Sequence, residues 1–230
     1  MRRVLMLIGL LASALAGASA TAATVDSPWV EGQHYFVVEP AQPTRAPKGK
    51  VEVVEVFSYA CPACFQFYPT IDKLKAALPA AAQLRYVAAS WHPEEDWKNF
   101  QRGFFTAESM GLVERTHDAV FDAIWKSGTL AIMDPVERRP KAQMPTIVDI
   151  AAFYAQATGT SQADFLATAH SFAVDAAMRG ADEQIKAYQA DQTPTLIING
   201  KYRLTPTSAG NPDDFVKLAY WLVSRELTRH

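Results

Sequence analysis

One continuous stretch, residues 51–78, does most to limit the folds open to this chain: VEVVEVF, then SYA, then CPACFQFYPTIDKLKAAL. The first seven residues are β-branched and nearly unbroken in apolar character, which predicts a buried central strand. Pro62 suits a first helical turn, because its missing N–H has no intrahelical partner to lose there. Phe65, Tyr68, Ile71, Leu74 and Leu78 then recur at helical spacing, with Pro69 expected to kink the helix. QLRYVAAS at 83–90 reads as a second strand. Strand, helix and strand in this order predict a βαβ unit, with both cysteines of the chain, Cys61 and Cys64, where the helix begins.

The rest of the chain falls into place around that unit. HYFVVE at 34–39 is a short strand candidate, and the proline-rich 41–50 a loop. From residue 96 to 189 the patterns are helical, in WKNFQRGFFTAESMG, THDAVFDAIWKSG, IVDIAAFYAQATG, a segment capped by Ser161, and a longer helix from Val174 to Gln189. IMDPVERRPKAQMP at 132–145 is a charged loop between prolines. TPTLIINGKYRL then reads as a hairpin turning at Asn199–Gly200, and NPDDFVKLAYWLVSREL as a closing helix with acidic residues in its first turn. A hairpin near residue 200 can complete a sheet begun near residue 51. The expected architecture is therefore α/β, with residues 24–95 and 190–230 forming one discontinuous domain and 96–189 an inserted all-helical domain.

The first 23 residues set the expected compartment. Arg2 and Arg3 precede an apolar run from Val4 to Gly17, and small residues follow, as in a secretory signal peptide cut after Ala20 or Ala23. Cleavage leaves 20 basic against 24 acidic residues, a balance that argues against a nucleic-acid partner. The histidines (34, 92, 117, 170 and 230) show no metal-ligand spacing.

Three uses of the cysteine pair compete. A structural bridge over so short a loop stabilises by only about 2 kcal/mol before strain is counted. A chain of this size buries roughly 70% of its unfolded surface and needs no such staple. A metal site lacks further ligands. A reactive redox pair fits the setting best, because a helix N-terminus stabilises a thiolate. Cys61 is then expected at the exposed end as the attacking sulfur, with Cys64 buried one turn in as the resolving one. Glu55 interrupts the apolar strand. In a central strand its carboxyl is expected to be buried, with a raised pKa, and able to exchange a proton with Cys64. Thr193–Pro194 precedes the strand TLII and is expected to form a cis-proline loop facing the cysteines and pairing with extended peptide. Pro62 and Ala63 at the helix start, with apolar contacts from Tyr59, Ala60 and Phe65, complete the expected substrate contacts. SWHPEEDW at 90–97 reads as a solvated helix start.

FSYACPACFQFYPTIDKL, the QTPTLIINGKYRL hairpin and the helical block between them resemble the DsbA family of periplasmic thiol–disulfide oxidoreductases, from about Glu31 to the C-terminus. The resemblance implies a thioredoxin fold with an inserted helical domain and no organic cofactor or metal. It implies a monomer that oxidises reduced, unfolded exported proteins and is reoxidised by a quinone-linked inner-membrane partner of the DsbB type. Cys61 falls on the family's nucleophile, Cys64 on its buried partner, Glu55 on its buried acid and Thr193–Pro194 on its cis-proline loop. The family commonly reads CPHC, whereas this chain has Ala63 in place of the histidine. General reference values for the attacking thiol are about 3.5 in DsbA and about 7 in thioredoxin. Cys61 is expected between them, giving a weaker oxidant than the histidine form. The alternatives are a reductase or isomerase of the same fold, or a redox-inert peptide-binding module.

Overall fold

The computed structural model describes residues 27–91 and 97–229. The signal segment, residues 92–96 of SWHPEEDW and His230 lie outside the described residues. Five strands form one mixed sheet: β1 (Phe36–Val37), β2 (Val51–Phe57), β3 (Ala82–Ala88), β4 (Thr195–Ile198) and β5 (Tyr202–Leu204), in the order β1-β5-β4-β2-β3. β2 and β3 run parallel, Glu55 opposite Tyr86 and Phe57 opposite Ala88. Every other pairing is antiparallel. β2 sits between β3 and β4 and is buried at all seven positions, as its nearly continuous apolar character predicts.

The parallel pair requires a crossover, and α1 (Pro62–Ala77) supplies it, continuing through Pro69. The first strand is shorter than HYFVVE suggests. Only Phe36 and Val37 join the sheet, as a two-residue edge on β5. The hairpin turns where the sequence places it. Asn199 and Gly200 both have positive φ, 52° and 65°, the pattern of a two-residue turn matched to strand twist. A Cβ on Gly200 would stand 2.1 Å from the backbone oxygen of Gln42, so the loop between β1 and β2 closes directly on that glycine.

Five helices lie between β3 and β4: α2 (Trp97–Ser109), α3 (Val113–Trp125), α4 (Ile147–Thr158), α5 (Gln162–Ala169) and α6 (Phe172–Ala187). Polar caps set several of their starts. Thr146 and Asp149 form a reciprocal capping box, and Ser161 caps α5. Ser171 caps α6, which therefore begins two residues before the Val174 expected from periodicity. Within the block, α2 meets α4 closely enough that a Cβ on Gly103 would stand 2.8 Å from Ile150 Cγ2. The closing helix α7 (Pro212–Leu227) packs on α1, with Phe67 and Phe215 edge to face at 4.9 Å. Its buried Glu226 accepts hydrogen bonds from Asn199, Lys201 and Tyr202, tying the hairpin to the helix. The architecture is α/β, a thioredoxin-like fold with a helical insertion.

Candidate active site

At the carboxyl end of β2 the chain makes one tight turn before α1. The Cys61 N–H donates to Ser58 O at 3.2 Å, closing a turn over Ser58–Cys61. Cys61 is extended (φ −84°, ψ 119°) and serves as the helix N-cap, its Sγ accepting the Cys64 N–H at 3.4 Å. A sulfur in that position faces amide groups the helix leaves without carbonyl partners, which favours its charged form. Across from it, the Thr193–Pro194 peptide is cis, and the Cys61 thiol donates to Thr193 O at 3.5 Å. The fold thus brings the proline loop, 132 residues along the chain, against the cysteine pair that follows the buried strand.

The two thiols are chemically unequal. The Cys64 side chain donating to Cys61 lowers the Cys61 pKa most. Burial opposes this, and the Thr193 side chain and the backbone amides of Cys64 and Ala63 add to the lowering, for a value of about 6. This lies inside the interval expected from CPAC. Cys64 is fully buried, and desolvation raises its pKa well above the ordinary thiol range. One sulfur therefore ionises readily near neutral pH and the other holds its proton.

Glu55 is 2% exposed on the central strand. Burial first, then the charges of Asp72 and Cys61, raise its carboxyl to about 8. A carboxyl in that range is protonated at neutral pH and can give or take a proton there. Strand alternation places Glu55 and Phe57 on one face of the sheet, and Phe57 packs against His117 of α3 at 5.0 Å.

Two expectations need correction. Cys61 is not an open surface residue. It keeps only 6% of its surface, because the Thr193 carbonyl and the turn cover it. Tyr59 and Ala60 cannot offer contacts to a substrate, since both are buried within that turn. Phe65 is half-buried and stacks on Trp125 at 5.8 Å. Pro62 and Ala63 remain exposed, and Thr193 is half-exposed.

The structure also brings in residues that spacing does not reveal. The Trp125 indole N–H donates to Tyr59 O at 2.8 Å, and the Tyr59 hydroxyl meets His117 Nδ1 at 3.0 Å. The available signal was His117 on the apolar face of α3, one turn from Val120 and Phe121. Burial lowers its pKa to about 3, so the imidazole is neutral. Among the described residues no cluster of three or more His, Cys, Asp or Glu is placed to hold a metal ion.

A family model described as Thioredoxin matches residues 46–217. The chain is 34% identical over 226 residues to the thiol:disulfide interchange protein DsbA of Pseudomonas syringae pv. tomato, covering 98% of this chain and 96% of that one. Among solved structures, the crystal structure of Pseudomonas aeruginosa DsbA is similar with a TM-score of 0.73 at 34% identity, covering 87% of this chain and 96% of that one. The oxidoreductase DsbA of Xylella fastidiosa is similar with a TM-score of 0.72 at 29% identity, covering 84% of this chain and 95% of that one. With a family match over most of its length, near-complete coverage of these relatives and an unequal CxxC pair at a helix N-terminus, the chain belongs to the DsbA family of thiol–disulfide oxidoreductases.

Proposed function

We propose that this protein acts as an oxidase, transferring its Cys61–Cys64 disulfide to reduced cysteine pairs in proteins exported to the periplasm. The observation that carries the direction is the lowered pKa of Cys61, about 6, beside a Cys64 that keeps its proton. A thiolate stabilised in the reduced form makes the disulfide form the stronger oxidant. Relative to a thiol at 9.0, a value near 6 stabilises the reduced state by about 1.4 kcal/mol at pH 7, equivalent to about 30 mV.

The exchange runs in two displacements. A substrate thiolate attacks Cys61 Sγ, a substrate–Cys61 bond forms, and the Cys61–Cys64 bond breaks. Its electron pair goes to Cys64, which takes a proton. Glu55, protonated at neutral pH, is the proposed donor. A second substrate thiolate then attacks the substrate sulfur of the mixed disulfide, and Cys61 leaves as the thiolate. The substrate has lost two electrons and two protons: the enzyme holds the electrons as the Cys61 thiolate and the Cys64 thiol, one proton restores Glu55 and the other goes to solvent. Cys61 and Cys64 are the proposed catalytic pair, with the half-exposed Thr193 backbone, set by the buried cis-Pro194, pairing with extended substrate and Pro62 and Ala63 forming the exposed rim. A quinone-linked inner-membrane protein of the DsbB type is the proposed oxidant that restores the disulfide. The N-terminal signal pattern supports the periplasm as the site of action.

The test has two arms. Oxidised protein mixed with a reduced, unfolded substrate should generate substrate disulfides while its own pair becomes reduced. Alkylation trapping in cells should find the pair oxidised at steady state. A pair held reduced in cells, with net reduction of substrate disulfides, overturns the proposal.

A further inference from the structure

Tyr59 is held at both ends by one helix of the insertion. Its carbonyl accepts the Trp125 indole N–H at 2.8 Å, and its hydroxyl meets His117 Nδ1 at 3.0 Å. With burial keeping the Tyr59 phenol protonated and the imidazole neutral, one neutral hydrogen bond joins them, its donor set by the imidazole tautomer. Tyr59 is the second residue of the Ser58–Cys61 turn, whose last residue is the attacking sulfur's own. Within the turn, only the Ala60 N–H to Ser58 Oγ contact at 3.2 Å and the closing Cys61 N–H to Ser58 O bond at 3.2 Å fix the backbone locally. A short turn held by two long hydrogen bonds needs outside support to keep one conformation. Both supports come from α3, about sixty residues along the chain and part of the helical insertion rather than of the sheet unit.

We propose that His117 and Trp125 are positioning residues that hold the Ser58–Cys61 turn through Tyr59, and so aim the Cys61 sulfur at the Cys64 amide and the Thr193 carbonyl. The insertion then has a chemical role in setting the reactivity of Cys61. The physical basis is the distance dependence of a weak sulfur hydrogen bond. The Cys64 N–H reaches Sγ at 3.4 Å, and a few tenths of an ångström of slack in the turn weakens it. The proposal rests on the assignment of Cys61 as the attacking sulfur.

The experiment uses the full mature chain with Trp125→Phe, which keeps an aromatic ring on Phe65 but removes the N–H, and with Tyr59→Phe, which removes only the hydroxyl. Reduced protein is titrated by thiolate absorbance near 240 nm and by the pH profile of iodoacetamide alkylation. Folding is checked by near-ultraviolet circular dichroism. Below its pKa a thiol reacts in proportion to its thiolate fraction, so Trp125→Phe should slow alkylation at about pH 5 by about three- to tenfold, and Tyr59→Phe by about twofold, with the inflection of the pH profile displaced upward. A folded Trp125→Phe protein with the unsubstituted titration curve overturns the proposal. Should that variant not fold, an unmoved curve for Tyr59→Phe overturns it instead. The two failures are distinguishable, because a Cys61 that titrates like free cysteine in the unsubstituted protein brings down the site assignment itself.

Discussion

The Cys61 thiol donates to the carbonyl oxygen of Thr193 across 3.5 Å, joining positions 132 residues apart in sequence. Only the protonated sulfur can make this bond. The Cys64 amide, the Cys64 thiol and the Thr193 side chain act in the other direction and favour the thiolate. Thr193→Val removes one of those supports at little change in volume. The Cys61 pKa should rise from about 6 toward 9, and alkylation at about pH 5 should slow by roughly threefold. Stopped-flow alkylation across pH tests this, and a faster variant would contradict it.

Ala63 is exposed in the first turn of α1, so a larger side chain there meets solvent rather than core. Ala63→His returns the cation-capable residue of the commoner family pattern. The Cys61 pKa should fall below 6. At pH 7 each further unit stabilises the reduced form by about 1.3 kcal/mol, raising the potential by about 30 mV. Equilibration with glutathione redox buffers measures the change. A potential that stays fixed while the pKa falls would break the link drawn between them.

Glu55 should act on stability and on rate together. Its folded pKa, about 8, lies above its ordinary 4.5, so the native state binds the proton more tightly than the unfolded chain. Its contribution therefore leaves stability intact below about pH 4.5 and erodes it as pH rises toward 8. Glu55→Gln should stabilise the protein at pH 7 by about 3 kcal/mol, and the gain should vanish near pH 4. The same substitution should slow substrate oxidation, because Cys64 loses its proposed proton donor. Urea unfolding at several pH values, alongside stopped-flow exchange, separates the two effects. A Glu55→Gln protein less stable at pH 8 than the unsubstituted one would refute the burial argument.

Gly200→Ala should be strongly destabilising, by about 2 kcal/mol or more, although it lies remote from the chemistry. The residue has φ +65°, and its Cβ would stand 2.1 Å from the Gln42 backbone oxygen, which cannot swing aside as a side chain can. A melting temperature unchanged within a degree would count against this turn geometry.

Much of the molecule is legible in its linear pattern. The largely apolar run Val51–Phe57, broken only by Glu52 and Glu55, specifies a strand buried on both faces, and period 3.6 with Pro62 specifies the helix after it. The Asn199–Gly200 pair specifies a turn because both positions need positive φ. Local steric and periodic rules act over a few residues, so a sequence displays them directly. The inequality of the two cysteines also follows from local position, because N-cap and first-turn sites differ in their access to free amides.

Tertiary structure alone decided what surrounds those sulfurs. Tyr59 and Ala60, which look like contacts for a substrate, became interior because α3 of the insertion lies over their turn. Cys61 lost most of its surface to a carbonyl that arrives from the far end of the chain. Sequence fixes which groups are present and the local shape each prefers. Which of them meet, and how much water is left between them, depends on how distant elements pack. That packing sets desolvation and hydrogen bonding, and with them the acidity of Cys61.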